Sequence, residues 1–311
     1  MKTQYYISVL FLAITFGLLV GCDKVENPYE DQASITVDTT LYPGNWQDYV
    51  DNESPVFTAN SNTDVNVLLE DYTGHLCNNC PTAATAAHTI HENYPDRVFV
   101  ASIHVDPGAV LSFQQPQTNG TYPTDHTNPD AIEYGETFQN GFNFIGNPQG
   151  TVNRKTVDGK MFDFYGTWQS RATDIMTTND LKFNIQSAFN FYESTNGGYL
   201  HVEVEKVTNE EISVNTVVYV LQDTLTDWQL MPNNTNNPNY LHRDLHLGSI
   251  DGNAFGIPTF ESSVPSGTKE ELLYSYEVPS GYNPENMHFL IYVYNTDNYE
   301  VLQVIKQKLK E

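Results

Sequence analysis

The sequence predicts an α/β domain followed by an all-β sandwich. Three observations predict it. Residues 64–105 carry a strand–helix–strand pattern, and after Asp180 the apolar residues change to a period of two. The chain is also 311 residues long, more than one ordinary hydrophobic core supports. The expected organisation is a leader at 1–21, a tether at 22–60, an α/β domain at 61–179 and a β-sandwich at 180–311.

The first 21 residues read as an export signal. Lys2 gives a positive start, and Val9–Ile14 with Leu18–Val20 form an apolar stretch too short to span a membrane. It ends in Leu19-Val20-Gly21-Cys22, which looks like a bacterial lipobox, with Cys22 as the residue to be acylated. The other reading is an ordinary secretory signal with an incidental cysteine. Several acyl chains on Cys22 would suffice for stable membrane residence. Residues 23–60 begin acidic, with Asp23, Glu26, Glu30 and Asp31, and continue rich in Asn, Thr, Pro and Ser. That composition predicts a flexible, solvated spacer without a core.

In the α/β part, Val65–Tyr72 reads as a buried strand, Thr82–Tyr94 as a helix with a small-residue face, and Arg97–Val105 as a second buried strand. Two parallel strands joined by a helix imply a right-handed crossover. Residues 106–144, rich in Pro, Gly, Asn and Gln, read as an insertion over the surface with a short helix at Ala131–Phe138. A strand and hairpin at 149–164 and a helix at Trp168–Met176 close the domain. Beyond Asp180, strands are expected at Leu181–Phe191, Leu200–Glu205, Ile212–Leu221, Phe289–Tyr294 and Tyr299–Ile305. They suggest an immunoglobulin-like sandwich, with residues 231–270 as a long loop inside it.

Charge narrows the function. Fourteen Lys and Arg against 39 Asp and Glu give a formal net charge of −25. Nucleic-acid binding needs clustered cations, so no nucleic acid is expected as a partner.

Apart from Cys22, the cysteines are Cys77 and Cys80. A C-x-x-C closes too short a loop to be a useful staple, and two thiols are half of a closed zinc site. His75 and His104 could complete a mixed site, but redox chemistry is the better reading. The pair falls at the start of a helix, where a partial positive charge and free N–H groups favour a thiolate. Cys77 is then the exposed attacker and Cys80 the resolving thiol. Asp71 shares a strand face with Val67 and Leu69. Among apolar neighbours its pKa would rise, which fits it to accept the Cys80 proton. The competing reading makes Asp71 the exposed end of the strand. His242 and His246 would share a face of a helix and could bind metal, whereas Pro238 and Gly248 favour a loop. No metal and no cofactor is expected.

Asp71-Tyr72-Thr73-Gly74-His75-Leu76-Cys77-Asn78-Asn79-Cys80 resembles the active-site strand and turn of the thioredoxin superfamily. That resemblance implies a cis-proline opposite the cysteines. Gly146-Asn147-Pro148-Gln149-Gly150 looks like the loop, with Pro148 as the proline and Asn147 presenting backbone to a bound peptide. Leu76 and Pro81 depart from the aromatic and basic residues usual there, which leaves the direction of electron flow open. More narrowly, Leu68–Gly74 before C-x-x-C-Pro, Val152-Asn153-Arg154, and Tyr240-Leu241-His242-Arg243-Asp244 resemble lipoproteins related to outer membrane protein 28, of the Bacteroidetes type. The resemblance implies a thioredoxin-like domain and a sandwich on a lipid-anchored outer membrane protein, periplasmic or surface-exposed. The expected activity is thiol–disulfide exchange with protein thiols or disulfides. The alternative is a non-catalytic binding or assembly lipoprotein whose C-x-x-C is structural or a relic.

Overall fold

The computed structural model describes residues 36–310. The export signal and Cys22 lie outside the described residues.

Within the predicted spacer the chain already folds. Helix α1 (Trp46–Asn52) is capped by Asn45, whose side chain accepts from the Gln47 amide at 2.8 Å. Tyr49 on α1 is fully buried. Its ring lies 4.9 Å from Trp46 and 4.7 Å from Tyr199, and Tyr42 and Tyr192 complete the group. The expectation of a flexible tether through residue 60 is therefore corrected. Polar neighbours mask an aromatic anchor whose burial outweighs the entropy of leaving the segment free.

Strand β1 (Val67–Thr73), helix α2 (Cys80–Asn93) and strand β2 (Val98–His104) form the expected crossover, with β1 and β2 parallel from Val67↔Val98 to Thr73↔His104. Ala83, Ala87 and Ile90 of α2 pack on Val67, Leu69, Val98 and Val100. Helix α3 (Pro129–Phe138) lies in the insertion, capped by Asn128. Its Tyr134 and Phe138 are fully buried and, with Phe144, join a core of residues from both halves of the chain. The later part of the insertion thus joins the interior, while most of residues 107–125 stay at the surface as expected. Strand β3 (Gln149–Val152) runs antiparallel to β1, and helix α4 (Trp168–Thr178) stops at left-handed Asn179.

The second half contributes β4 (Phe183–Tyr192), β5 (Gly197–Lys206), β6 (Val214–Leu230), β7 (Asn236–Ser249), β8 (Ile257–Phe260), β9 (Lys269–Glu277), β10 (Met287–Asn295) and β11 (Val301–Lys308). Strands β4, β5 and β9 form one sheet. The other is eight-stranded, in the order β11-β10-β6-β7-β2-β1-β3, with β8 paired to β6. Phe183, Leu200 and Val202 of the small sheet face Val218, Phe289 and Ile291 of the large one. The protein is thus a mixed α/β, sheet-rich fold with two sheets and few helices.

Two expectations change here. The large sheet runs across residue 179, because β2 and β7 meet in parallel at Ser102↔Leu245. The halves therefore share a sheet and a core instead of standing as separate domains, and an otherwise open β2 edge is partnered. The segment expected as a long loop at 231–270 contains strands β7 and β8. Asn, His, Arg and Asp are poor strand formers, and pairing with β6 overrides that preference.

Candidate functional site

The cysteine site sits at the carboxyl end of β1. Cys77 lies in the turn after the strand, where its amide donates to the Gly74 carbonyl at 3.0 Å. Cys80 begins α2 and Pro81 occupies the first turn, where a missing N–H costs little. The two sulfurs form a disulfide. Cys77 is 2% exposed and Cys80 1%. The expectation that Cys77 is an accessible attacker is therefore corrected for this oxidised form.

What covers Cys77 comes from the second half. Beyond Gln222, β6 no longer pairs with β10, and it continues with β7 as a two-stranded arm. The arm lies over the cysteine turn. Gln229 Nε2 donates to the Cys77 carbonyl at 3.1 Å and to the Gly74 carbonyl at 3.3 Å. The Leu230 amide donates to the His75 carbonyl at 2.8 Å, and Asn78 Nδ2 donates to Asn234 Oδ1 at 3.0 Å. No motif marked Gln229, because its partners are backbone carbonyls.

Strand alternation separates two adjacent carboxylates. Glu70 faces the shared core, where Arg154 binds it in a two-pronged contact at 2.7 and 2.9 Å and Tyr219 and Thr151 donate to it. The arginine holds the Glu70 carboxyl below its ordinary range despite complete burial. Asp71 faces α2. It is fully buried, and neither carboxylate oxygen has a hydrogen-bond partner. Burial pushes its pKa from 3.8 up to about 8, so the reading of Asp71 as an exposed strand end fails. Asp71 and Cys80 line one cleft of about 110 Å³, together with His104, Tyr240 and Arg243. A buried acid with so raised a pKa, sharing a cleft with a cysteine, is chemically able to exchange a proton with a thiol.

The Asn147–Pro148 peptide bond is cis. Asn147 Nδ2 donates to the Thr73 and Val105 carbonyls at 3.0 and 2.8 Å and to Asp106 Oδ1 at 2.8 Å. These contacts tie the Pro148 loop to the ends of β1 and β2, the edge that carries the cysteine turn. The Asn147 side chain is thus occupied in holding the loop.

His75 and His104 do not complete a cysteine metal site, because the sulfurs are bonded to each other. His242 and His246 lie on strand β7 and serve different surroundings. His246 packs on Tyr219, with ring centroids 4.3 Å apart. His242 turns Nε2 to the Trp228 carbonyl at 3.2 Å and lies beside His104 and His126. His126 was not legible as a site residue inside its polar insertion.

HBP35 of Porphyromonas gingivalis shares the fold, with TM-score 0.60 and 15% identity over 81% of this chain and 77% of that one. A protein from Agrobacterium tumefaciens aligns with TM-score 0.49 and 15% identity, over 81% of this chain and 97% of that one. A domain of the outer membrane lipoprotein Omp28 from Porphyromonas gingivalis aligns over 42% of this chain and 89% of its own, with 21% identity and TM-score 0.29. No curated protein matches the sequence. The family model for outer membrane protein Omp28 matches residues 135–311, taking in the Pro148 loop and the arm but beginning after the cysteines. Since that match spans more than half of the chain, the protein belongs to the outer membrane protein Omp28 family, a family of the bacterial cell envelope.

Proposed function

We propose that the protein is a lipid-anchored, thioredoxin-like thiol–disulfide exchanger acting on protein substrates at the outer membrane. In this reading residues 61–179 are the thioredoxin-like part, β4–β11 an immunoglobulin-like sandwich fused to it, and acylated Cys22 the anchor. The observation that carries the proposal is Asp71, an unpartnered buried acid in the cleft that Cys80 lines. A structural disulfide has no use for such a group, whose burial costs stability.

The steps balance in both directions. A substrate thiolate attacks Cys77 Sγ, the Cys77–Cys80 bond breaks, and Asp71 protonates the leaving Cys80 thiolate. A second substrate thiolate then attacks the substrate sulfur of the mixed disulfide and releases Cys77. In reverse, the Cys77 thiolate opens a substrate disulfide, ionised Asp71 takes the Cys80 proton, and Cys80 attacks Cys77 to release the substrate. Either direction requires the arm to move from Cys77. The Asn147 backbone and Pro148 hold the substrate strand.

Burial of both sulfurs favours the second reading, a non-catalytic binding or assembly lipoprotein with a closed disulfide. Trapping distinguishes the two. Cys80→Ser in the exporting cell should accumulate mixed disulfides through Cys77, and Cys77→Ser should accumulate few. Absence of adducts from Cys80→Ser supports the binding reading instead.

A further inference from the structure

Four histidines from four segments meet where the arm joins the rest of the molecule. His75 comes from the cysteine turn, His104 from the end of β2, His126 from the insertion and His242 from β7. All four are buried. The centroids of His104, His126 and His242 form a near-equilateral triangle, with sides of 5.0, 5.2 and 5.5 Å. His75 stands 5.6 Å from His126.

We propose that His104, His126 and His242 bind a divalent first-row transition-metal ion of the zinc type. Imidazole suits these ions, and three histidines with an open fourth position are a known zinc arrangement. The ring spacing matches, although the nitrogens do not yet converge to within 4.8 Å of one another. With nitrogens about 2.0 Å from an ion in tetrahedral geometry, imidazole centroids lie about 5.2 Å apart.

The outer contacts match as well. Metal-bound histidines commonly turn their second nitrogen to a carboxylate or a carbonyl. His242 Nε2 lies 3.2 Å from the Trp228 carbonyl, and His126 Nε2 stands 3.2 Å from Asp227 Oδ2 in a geometry that makes no hydrogen bond. Nδ1 of each can serve an ion once its ring turns toward the other two. His104 Nδ1 is buried with no partner at all, which is costly for a polar atom unless something binds it.

Binding requires the rings to turn inward. Among the described residues, the trio whose ligand atoms already lie within 4.8 Å of one another is Asp223, Asp244 and His288. That trio is part of an ion-pair network, in which Asp223 pairs with His288 and Lys306 Nζ stands 3.8 Å from Asp223. An ion held by the histidines would link β2, the insertion and the arm, and so fix the cover over Cys77.

The test uses the lipidated full chain in detergent, without an affinity tag and with the disulfide oxidised so that no thiol competes. Cobalt and zinc are added singly at pH 7.5 to metal-stripped protein. The expected result is about one ion per chain, with a cobalt spectrum of nitrogen ligation and an X-ray absorption count of about three imidazoles. His104→Gln, His126→Gln and His242→Phe should each weaken binding at least about 10-fold, and Asp227→Asn by about 10-fold, while His88→Ala, on helix α2 and paired with Glu92, changes nothing. Folded wild-type protein that binds neither ion overturns the proposal, and this result needs no variant. Binding that survives all three histidine substitutions, or that has oxygen ligands, also overturns it. Because the disulfide stays closed, neither outcome bears on the exchange reading.

Discussion

Asp71→Asn should make the protein less sensitive to alkaline pH, and the size of the effect follows from the site. The carboxyl is fully buried without a partner, and its pKa is raised from 3.8 to about 8. Between those values the unfolded chain loses this proton while the folded chain keeps it. The folded state is therefore least penalised below about pH 4 and loses stability steadily as pH rises to about 8. Each unit corresponds to 1.36 kcal/mol, so the group withdraws about 4 kcal/mol between pH 5 and pH 8. That is a large part of the roughly 5–15 kcal/mol that holds a typical domain together. Urea unfolding of the oxidised protein at pH 5 and pH 8.5, wild type beside Asp71→Asn, measures it. The wild type should lose about 4 kcal/mol more than the variant across this interval. Contributions from the buried histidines are common to both proteins and cancel in the comparison. Parallel pH profiles would show that Asp71 is ionised in the folded state, and the proton-transfer role would fall with them.

Arg154→Met leaves the buried Glu70 carboxylate without its cation and should cost about 3–5 kcal/mol in denaturant melts. Pairing it with Glu70→Gln should recover part of that loss. Gln229→Ala removes the side-chain contacts from the arm to the Cys77 and Gly74 carbonyls. Reduction of the disulfide by a phosphine should then speed up several-fold in the folded protein, and an unchanged rate would mean that the arm does not limit access. Cys22→Ser should abolish acylation and release the protein from the membrane fraction, and recovery of lipid-labelled protein from this variant would sink the lipobox reading.

The parts of this fold legible in the sequence are those whose local pattern agrees with their place. The β1–α2–β2 unit was legible because Val67–Leu69 and Val98–Val100 are continuous apolar runs around an alanine-faced helix. Cys77, Cys80 and Asp71 were legible because their spacing from a strand end carries chemical meaning. Other parts depend on contacts distant in sequence. Tyr42, Trp46 and Tyr49 show no helix or strand period in their polar segment, and what gathers them is Tyr199, 4.7 Å from Tyr49. Strand β7 contains Asn, His, Arg and Asp, and only its pairing with β6 makes it a strand. The covering role of Gln229 rests on two backbone carbonyls more than 150 residues away, a partnership that no pattern in one sequence encodes. For the same reason the merging of the halves at Ser102↔Leu245 was hidden, since one parallel contact leaves no periodic trace.

The central claim is that Cys77 and Cys80 exchange disulfides rather than brace a turn. The most direct measurement is the equilibrium reduction potential of this pair in the folded full chain, titrated against dithiothreitol and glutathione buffers. The account predicts a value between about −270 and −120 mV, the range of proteins that exchange disulfides with substrates. A value below about −300 mV, with the pair still oxidised while the protein remains folded, would mark an inert bond and contradict the account.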